Sequence, residues 1–199
     1  MEMLHEFFAG PLQAVAMAFD FPILDWIQAT LKCGFLDFIM PIITLFGDAG
    51  IFWILCSVIM LCIPKQRRTG LAMGLALLMG VILCNVLLKN IVGRIRPYDL
   101  KAEMGITIPL LTERMHDFSF PSGHTIASFE ASVALLLNNR KLGIPAVILA
   151  ILIAMSRLYL YVHYPTDVIV SVVLGVGLAF LANWMVKKIP EKKGKFQAA

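Results

Sequence analysis

Long apolar runs separated by short polar segments dominate the chain. Four of these runs cover residues 71–92, 120–137, 142–162 and 166–185. Each is about 20 residues long, which is the length a helix needs to cross a membrane core about 30 Å thick. A shorter run, 51–63, needs the preceding apolar residues to complete a crossing. The pattern predicts an all-α integral membrane protein with a bundle of about five to six transmembrane helices.

Prolines mark the limits of two of these runs. Pro121 lies at the start of the run over 120–137 and suits the first turn of a helix, where its missing N–H needs no partner. Pro97 follows the run over 71–92 and ends it, because the residue before a proline is pushed out of helical geometry. The connection between these two helices is therefore long, from Gly93 to about Phe120.

The N-terminal residues 1–34 mix acids and prolines with apolar residues. We interpret them as one or two helices at the membrane interface, where an amphipathic segment buries one face; a sixth span is the alternative. The rest of the chain divides into a helical bundle over 35–188 and a basic tail over 189–199. We therefore predict a single membrane-embedded domain over residues 1–199.

Composition agrees with this class of protein. The chain is 59% hydrophobic and 15% charged, whereas a soluble domain carries about 25% charged residues. The four cysteines form no CxxC pair or Cys/His cluster of the kind that binds zinc, so we interpret them as packing residues. The net charge of +4 comes from short loops, so we predict a lipid bilayer and no nucleic acid as the surroundings of the protein.

The distribution of basic residues predicts the orientation. Segments 64–70, 138–141 and 187–195 hold ten of the seventeen Lys and Arg residues, and they alternate with the four long runs so as to lie on one side. By the positive-inside rule that side, with the C-terminus, is cytoplasmic. We therefore predict a multi-pass protein of the plasma (inner) membrane, with the 93–120 connection and the turn around His163 facing the outside or periplasm.

Three polar groups lie on that outer side. The segment 89–97 ends one span, "PSGH" at 121–124 begins another, and "SRLYLYVHYPTD" at 156–167 joins the last two. Basic residues at helix ends are commonly anchors at the interface, which is the alternative interpretation of Lys89 and Arg94. Arg157 lies about four to five residues inside a span, where an unpaired charge costs about 3 kcal/mol. Anchoring does not explain why all three groups meet on one face.

The residue types favour a phosphate site. Lys89, Arg96 and Arg157 supply three positive charges, and arginine forks onto phosphate oxygens. The N–H groups at the start of the helix that contains Ser122 form an anion site, and Gly123 allows the backbone to approach the ligand.

Two histidines divide the predicted chemistry. Asp167 follows His163 at i+4 and can hold one ring nitrogen, which leaves the other as a nucleophile toward phosphorus. His124 then donates a proton to the leaving oxygen. Because a histidine can itself take the phosphoryl group, we expect no metal ion and no cofactor. The choice of His163 over His124 as nucleophile depends on Asp167.

The order and spacing of these motifs resemble the three-part signature of the type 2 phosphatidic acid phosphatase superfamily, which includes lipid phosphatases and vanadium haloperoxidases. The matching positions are Lys89, 96–97, 121–124, 156–157, His163 and Asp167. The resemblance implies that His163 is the nucleophile, His124 the acid and Asp167 the partner of His163. It assigns phosphate binding to Lys89, Arg96, Ser122, Gly123 and Arg157. Arg94, inside the first spacer, and Ser156 are left without a role.

An outward-facing site in a bilayer favours an amphipathic lipid phosphate or diphosphate as substrate. The short chain resembles the bacterial undecaprenyl diphosphate phosphatases; phosphatidylglycerophosphate and phosphatidic acid phosphatases share the same site and are alternatives. An anion transporter or channel is the alternative from another class, and it predicts charges along the depth of the bundle. Glu130 is such a charge, and we interpret it as a buried hydrogen-bonding residue away from the face of His124. His116 and Asp117 are either head-group contacts or ordinary loop residues.

Overall fold

A computed structural model describes residues 10–190, and within this range the regular structure is helical. The helices are α1 (10–30, with π-helical Ala16–Asp20), α2 (Gly34–Leu45), α3 (Ile51–Cys62), α4 (67–92, with π-helical Val81–Leu88), α5 (Pro97–Glu103), α6 (Gly123–Asn138), α7 (Arg140–Tyr159) and α8 (Pro165–Lys187). The predictions for residues 1–9 and 191–199 lie outside the described part of the chain. The prediction of an all-α membrane bundle is confirmed.

Four helical stretches among residues 10–190 are long and apolar enough to cross a membrane: Gly34–Cys62, Pro64–Glu103, Arg140–Tyr159 and Pro165–Lys187. The first joins α2 and α3, so the short run over 51–63 is indeed completed by the residues before it. The junction contains the 3₁₀ turn Asp48–Gly50, which interrupts the helix. The break places the loop of Gly47 and Asp48 at the end of the bundle that carries the predicted site.

Helix α6 is the centre of the bundle and packs against α4, α7 and α8. It starts at Gly123, two residues after Pro121, so the prediction that Pro121 lies in its first turn is wrong. Ser122 is the N-cap instead, and its hydroxyl accepts hydrogen bonds from the N–H and the hydroxyl of Thr125, the latter at 3.0 Å. A serine at the N-cap accepts a hydrogen bond from a free N–H of the first helical turn, which a proline side chain cannot do.

Small residues allow close packing around α6. A Cβ atom on Gly143 of α7 would lie 2.2 Å from the Cα of Leu136 of α6, so only glycine fits at this crossing. The Trp53 indole of α3 donates a 3.0 Å hydrogen bond to the Ser128 hydroxyl of α6. Close approach and interhelical hydrogen bonds are the forces that hold helices together in lipid, and here they fix the helix whose first turn carries His124.

The long connection between α4 and α6 is more structured than the sequence predicted. It contains α5, and its remaining residues return across the end of the bundle. Tyr98 of α5 anchors the returning chain, because its hydroxyl donates to the Met115 carbonyl at 2.9 Å and accepts from the Met115 N–H at 3.1 Å. Residues 115–119 therefore lie directly over the predicted site.

Candidate active site

His163 lies in the turn between α7 and α8 and is 2% exposed. Its Nδ1 faces the interior, 3.6 Å from Oδ2 of Asp167 and 3.5 Å from the hydroxyl of Ser119. Its Nε2 faces the other way, 3.4 Å from Nη1 of Arg96. The ring is thus oriented with one nitrogen toward a carboxylate and the other toward a cation.

The surroundings of His163 keep its imidazole neutral. Burial, followed by the positive charges of Arg96, Arg157 and Lys89, lowers the pKa of His163 well below its ordinary value. A neutral ring with Nδ1 protonated toward Asp167 carries a free lone pair on Nε2. That is the protonation state a nucleophile requires.

Ser119 connects the histidine to the aspartate. The sequence predicted a direct contact between His163 and Asp167, but at 3.6 Å the two atoms are too far apart for a good hydrogen bond. The Ser119 hydroxyl donates to Oδ2 of Asp167 at 2.5 Å and stands beside the ring nitrogen. The i+4 spacing does not give a helical register here, because α8 starts only at Pro165, between the two residues.

Lys89 and Arg96 meet at Asp117. Arg96 donates from Nη2 to Oδ1 of Asp117 at 2.6 Å and from Nε to its main-chain carbonyl at 2.9 Å, and Lys89 donates to Oδ2. Burial on its own raises the pKa of Asp117, but the hydrogen bond from Lys89 and the charge of Arg96 outweigh it and leave the pKa well below the ordinary value. Asp117 is therefore ionised, and it contacts two of the predicted phosphate ligands, Lys89 and Arg96.

Arg157 is fully buried in the last turn of α7. Its Nη1 donates to the Thr44 hydroxyl at 2.5 Å, and its Nη2 lies 3.2 Å from the sulfur of Met115. Its Nε has no hydrogen-bond partner among the described residues. The neighbouring Ser156 bonds the carbonyl of Ile153 in its own helix, so the motif serine is satisfied locally.

His124 occupies the first turn of α6, as predicted, next to Asp48. Its Nε2 is 3.1 Å from Oδ1 of Asp48, a partner that the sequence did not reveal because it lies 76 positions away. Gly47 makes this approach possible, because a Cβ atom there would lie 2.7 Å from the imidazole Cδ2. Asp48 therefore contacts one ring nitrogen of His124, and the imidazole lines the same cavity as His163.

Two of the predicted phosphate ligands have structural roles as well. The N–H of Ser122 donates to the Ser171 hydroxyl at 2.8 Å, and its side chain caps α6, so both groups are already engaged. Gly123 is the first helical residue after it and lines the same cavity as His124 and His163.

A cavity of about 300 Å³ joins these groups. Its wall includes Lys89, Asp117 and both histidines, and it continues between the helices to Glu130. Glu130 was expected to lie about 240° around α6 from His124, and both side chains nevertheless line this cavity. Oε2 of Glu130 is buried and has no hydrogen-bond partner within residues 10–190.

Arg94 was left without a role and proves to be a centre of contacts. It is 5% exposed and donates to Oδ1 of Asp167 at 2.5 Å and to Oδ2 of Asp20 at 2.6 Å. The sequence offered one signal for it, the acids in the otherwise apolar N-terminal region, of which Asp20 is fully buried.

Comparison with known proteins agrees with the motifs. The PAP2 superfamily pattern matches residues 69–191. The undecaprenyl-diphosphatase BcrC of Bacillus subtilis is 32% identical over 146 residues, which cover 73% of this chain and 72% of the relative. An undecaprenyl-diphosphatase of Sulfolobus acidocaldarius is 30% identical over 142 residues, covering 71% and 66% of the two chains. The crystal structure of a transmembrane PAP2 type phosphatidylglycerolphosphate phosphatase from Bacillus subtilis superposes with a TM-score of 0.71 at 25% identity, covering 96% of this chain and 98% of the other.

Proposed function

Because the chain belongs to the PAP2 superfamily and is a membrane-embedded phosphatase, we propose that it hydrolyses a lipid-linked diphosphate, with undecaprenyl diphosphate as its principal substrate. Two relatives with that activity in their names, at 32% and 30% identity, support the choice of lipid. The observation that carries the chemistry is the environment of His163, whose Nε2 faces Arg96 and whose Nδ1 faces Asp167 and Ser119.

In the proposed reaction the phosphate binds to Lys89, Arg96 and Arg157, with Gly123 and Ser122 at the start of α6. Nε2 of His163 attacks the terminal phosphorus, so that an N–P bond forms and the P–O bond to the rest of the lipid breaks. The three cations stabilise the negative charge on the transferring group. Asp167 stabilises the positive charge that the ring acquires.

In this proposal His124 donates a proton in the first step and takes one up in the second. It donates its proton to the leaving phosphate oxygen, so that undecaprenyl phosphate departs. A water molecule then attacks the phosphohistidine and passes a proton to His124, the N–P bond breaks, and inorganic phosphate is released. The histidine takes the phosphoryl group itself, so the sequence of steps requires no metal ion.

The cavity suits a substrate whose chain remains in lipid. Its wall includes Ile54 of α3 and Val81 of α4, which are 48% and 51% exposed on spanning helices. A lipid phosphate can therefore present its head group to His163 while its hydrocarbon chain follows the apolar wall. A freely soluble phosphate ester has no hydrocarbon chain that could contact this wall.

A second candidate substrate is phosphatidylglycerophosphate. The solved phosphatidylglycerolphosphate phosphatase aligns with nearly the whole of this chain, which favours it over phosphatidic acid. The phosphatase assignment replaces the alternative of an anion transporter or channel.

Phosphate release from purified protein in detergent tests the proposal. Undecaprenyl diphosphate, phosphatidylglycerophosphate and phosphatidic acid are compared in the presence of EDTA. We expect the highest kcat/KM with undecaprenyl diphosphate, inhibition by vanadate, and almost no turnover by His163→Ala. Loss of activity in EDTA would refute the metal-free reaction, and near-normal turnover by His163→Ala would refute the nucleophile.

We also propose that the site faces the outside of the plasma membrane and that the C-terminus is cytoplasmic, from the positions of the basic loops. Glu113→Cys in the loop over the site and Lys141→Cys at the opposite end of the bundle form a matched pair, in a background without the exposed Cys33 and Cys62. An impermeant thiol reagent should label the first on intact cells and the second only after lysis. The opposite pattern would invert the orientation.

A further inference from the structure

The guanidinium of Arg94 lies behind Asp167, on the side of the carboxylate that faces away from His163. Besides its bonds to Asp167 and Asp20, its Nη1 donates to the Thr166 hydroxyl at 2.7 Å. Its central carbon lies 3.7 Å from the centre of the Tyr164 ring. With its charge directed at two carboxylates, Arg94 is not arranged as a ligand of phosphate.

Asp167 is held by donors on both of its oxygens. Oδ1 accepts from Arg94 at 2.5 Å, and Oδ2 accepts from the Ser119 hydroxyl at 2.5 Å and from the Tyr164 N–H at 3.1 Å. A buried carboxylate with three donors has one orientation, and that orientation points Oδ2 at His163. The main chain closes the unit, because the Ser119 N–H donates to the Arg94 carbonyl at 2.7 Å.

Arg94 bonds directly to Asp167, yet it does not cancel the attraction between the Asp167 carboxylate and the His163 ring. One positive charge is shared between two carboxylates, Asp20 and Asp167, and both are fully buried. The single positive charge of Arg94 is therefore shared between them and does not fully offset the negative charge of Asp167 next to the His163 ring. That remaining charge is available when the ring becomes positive on attacking phosphorus, an interaction that is strong at low dielectric.

We propose that Arg94 is a positioning residue of the phosphatase reaction: it fixes the carboxylate of Asp167, and Ser119 carries the same constraint to the imidazole of His163. The inference rests on the proposed roles of His163 and Asp167. It places Arg94 outside the phosphate site, although Arg94 lies only two residues before Arg96 in the same segment.

A purely structural role is the competing explanation, because Arg94 also joins α1 to α8 through Asp20. Lys101 provides a matched control for that role. Its ammonium donates to Oδ2 of Asp25 at 2.8 Å and lies 4.6 Å from the centre of the Phe21 ring, so it too joins α1 to the outer end of the bundle. Its ion pair is with Asp25 and not with Asp167.

The test compares Arg94→Lys, Arg94→Ala, Ser119→Ala and Lys101→Met in detergent. For each variant, kcat, KM, the inhibition constant of inorganic phosphate and the melting temperature are measured. We expect Arg94→Lys to lower kcat about 100-fold, the effect of a misplacement of about 1 Å, and Ser119→Ala to lower it by about tenfold, the effect of losing one hydrogen bond. The phosphate inhibition constant should stay within about threefold of wild type, because Lys89, Arg96 and Arg157 are untouched. Lys101→Met should lower the melting temperature and leave kcat unchanged.

Arg94→Lys and Ser119→Ala keep the test decisive if Arg94→Ala does not fold. Unchanged kcat in Arg94→Lys would overturn the proposal, as would a phosphate inhibition constant that weakens in parallel with kcat. A kcat loss in Lys101→Met equal to that in Arg94→Lys would assign Arg94 a structural role only. These outcomes are distinct from failure of the proposed function, which would appear as turnover by His163→Ala.

Discussion

Replacing Asp117 with asparagine should strengthen the binding of phosphate and vanadate. The carboxylate of Asp117 bonds both Lys89 and Arg96, two of the cations proposed to bind phosphate, so an entering anion competes with it for the same donors. The Asp117→Asn substitution keeps the shape of the side chain and removes its charge. The cations then turn toward the anion without first losing an ion pair.

The size of the effect follows from the exposure of the two ion pairs. The Asp117 side chain is 53% exposed, so each pair is worth about 0.2–1 kcal/mol as at a surface. Two pairs give about 0.4–2 kcal/mol. Since about 1.4 kcal/mol is a factor of ten in Kd, we expect binding about 2- to 30-fold tighter.

Competitive inhibition of the purified enzyme by vanadate and by inorganic phosphate is the assay. Glu113→Gln is the matched control, because Glu113 is exposed in the same loop and its replacement removes the same single charge. We expect the control to change either inhibition constant by less than about twofold. Weaker binding by Asp117→Asn would show that the carboxylate holds the cations in place instead of competing for them. Equal changes of the inhibition constants in both variants would show that the effect comes from the net charge of the loop and not from the ion pairs of Asp117.

Two further predictions concern stability. Gly143→Ala should destabilise the protein by about 1–3 kcal/mol, because the new Cβ would meet Leu136 at 2.2 Å. The control Gly177→Ala, whose new Cβ would have no atom within 4 Å, should melt at or above the wild-type temperature. Equal melting temperatures of the two variants would contradict the close crossing of α6 and α7. Because the pKa of His163 is lowered in the folded protein, the unfolded chain alone takes up a proton below about pH 6.5, so stability falls as the pH falls. Between about pH 7.5 and about pH 5.5 the melting temperature of wild type should therefore drop more than that of His163→Gln, and equal drops would refute the neutral histidine.

Periodicity and motif spacing predicted the helices and most of the site, because both are local properties of the sequence. The apolar runs gave α4, α7 and α8 within a few residues of their ends, and the order of the motifs placed Lys89 and the two histidines on one cavity. The start of α6 was misplaced by two residues. A proline suits a first helical turn, but a serine cap satisfies more of the free N–H groups.

The partners of the motif residues could not be read from the sequence, because they come from distant segments. Asp20 lies 74 positions before Arg94, and Asp48 lies 76 positions before His124. Without those contacts, Arg94 resembled an anchor at a helix end. Ser119 was missed for a different reason, since the path of the loop over the site depends on how Tyr98 holds Met115.

The start of α8 has a consequence for how variants of this enzyme are interpreted. Asp167 accepts the main-chain N–H of Tyr164 at 3.1 Å, so the same carboxylate that faces the proposed nucleophile, His163, also fixes the first turn of α8. A cap of this kind is worth about 1 kcal/mol. Loss of activity in an Asp167 variant therefore has two causes that cannot be told apart, a frayed first turn of α8 and the missing charge beside His163. Replacements at Ser119, whose contacts to the pair are made by a hydroxyl outside α8, separate the two effects more cleanly than replacements of the aspartate itself.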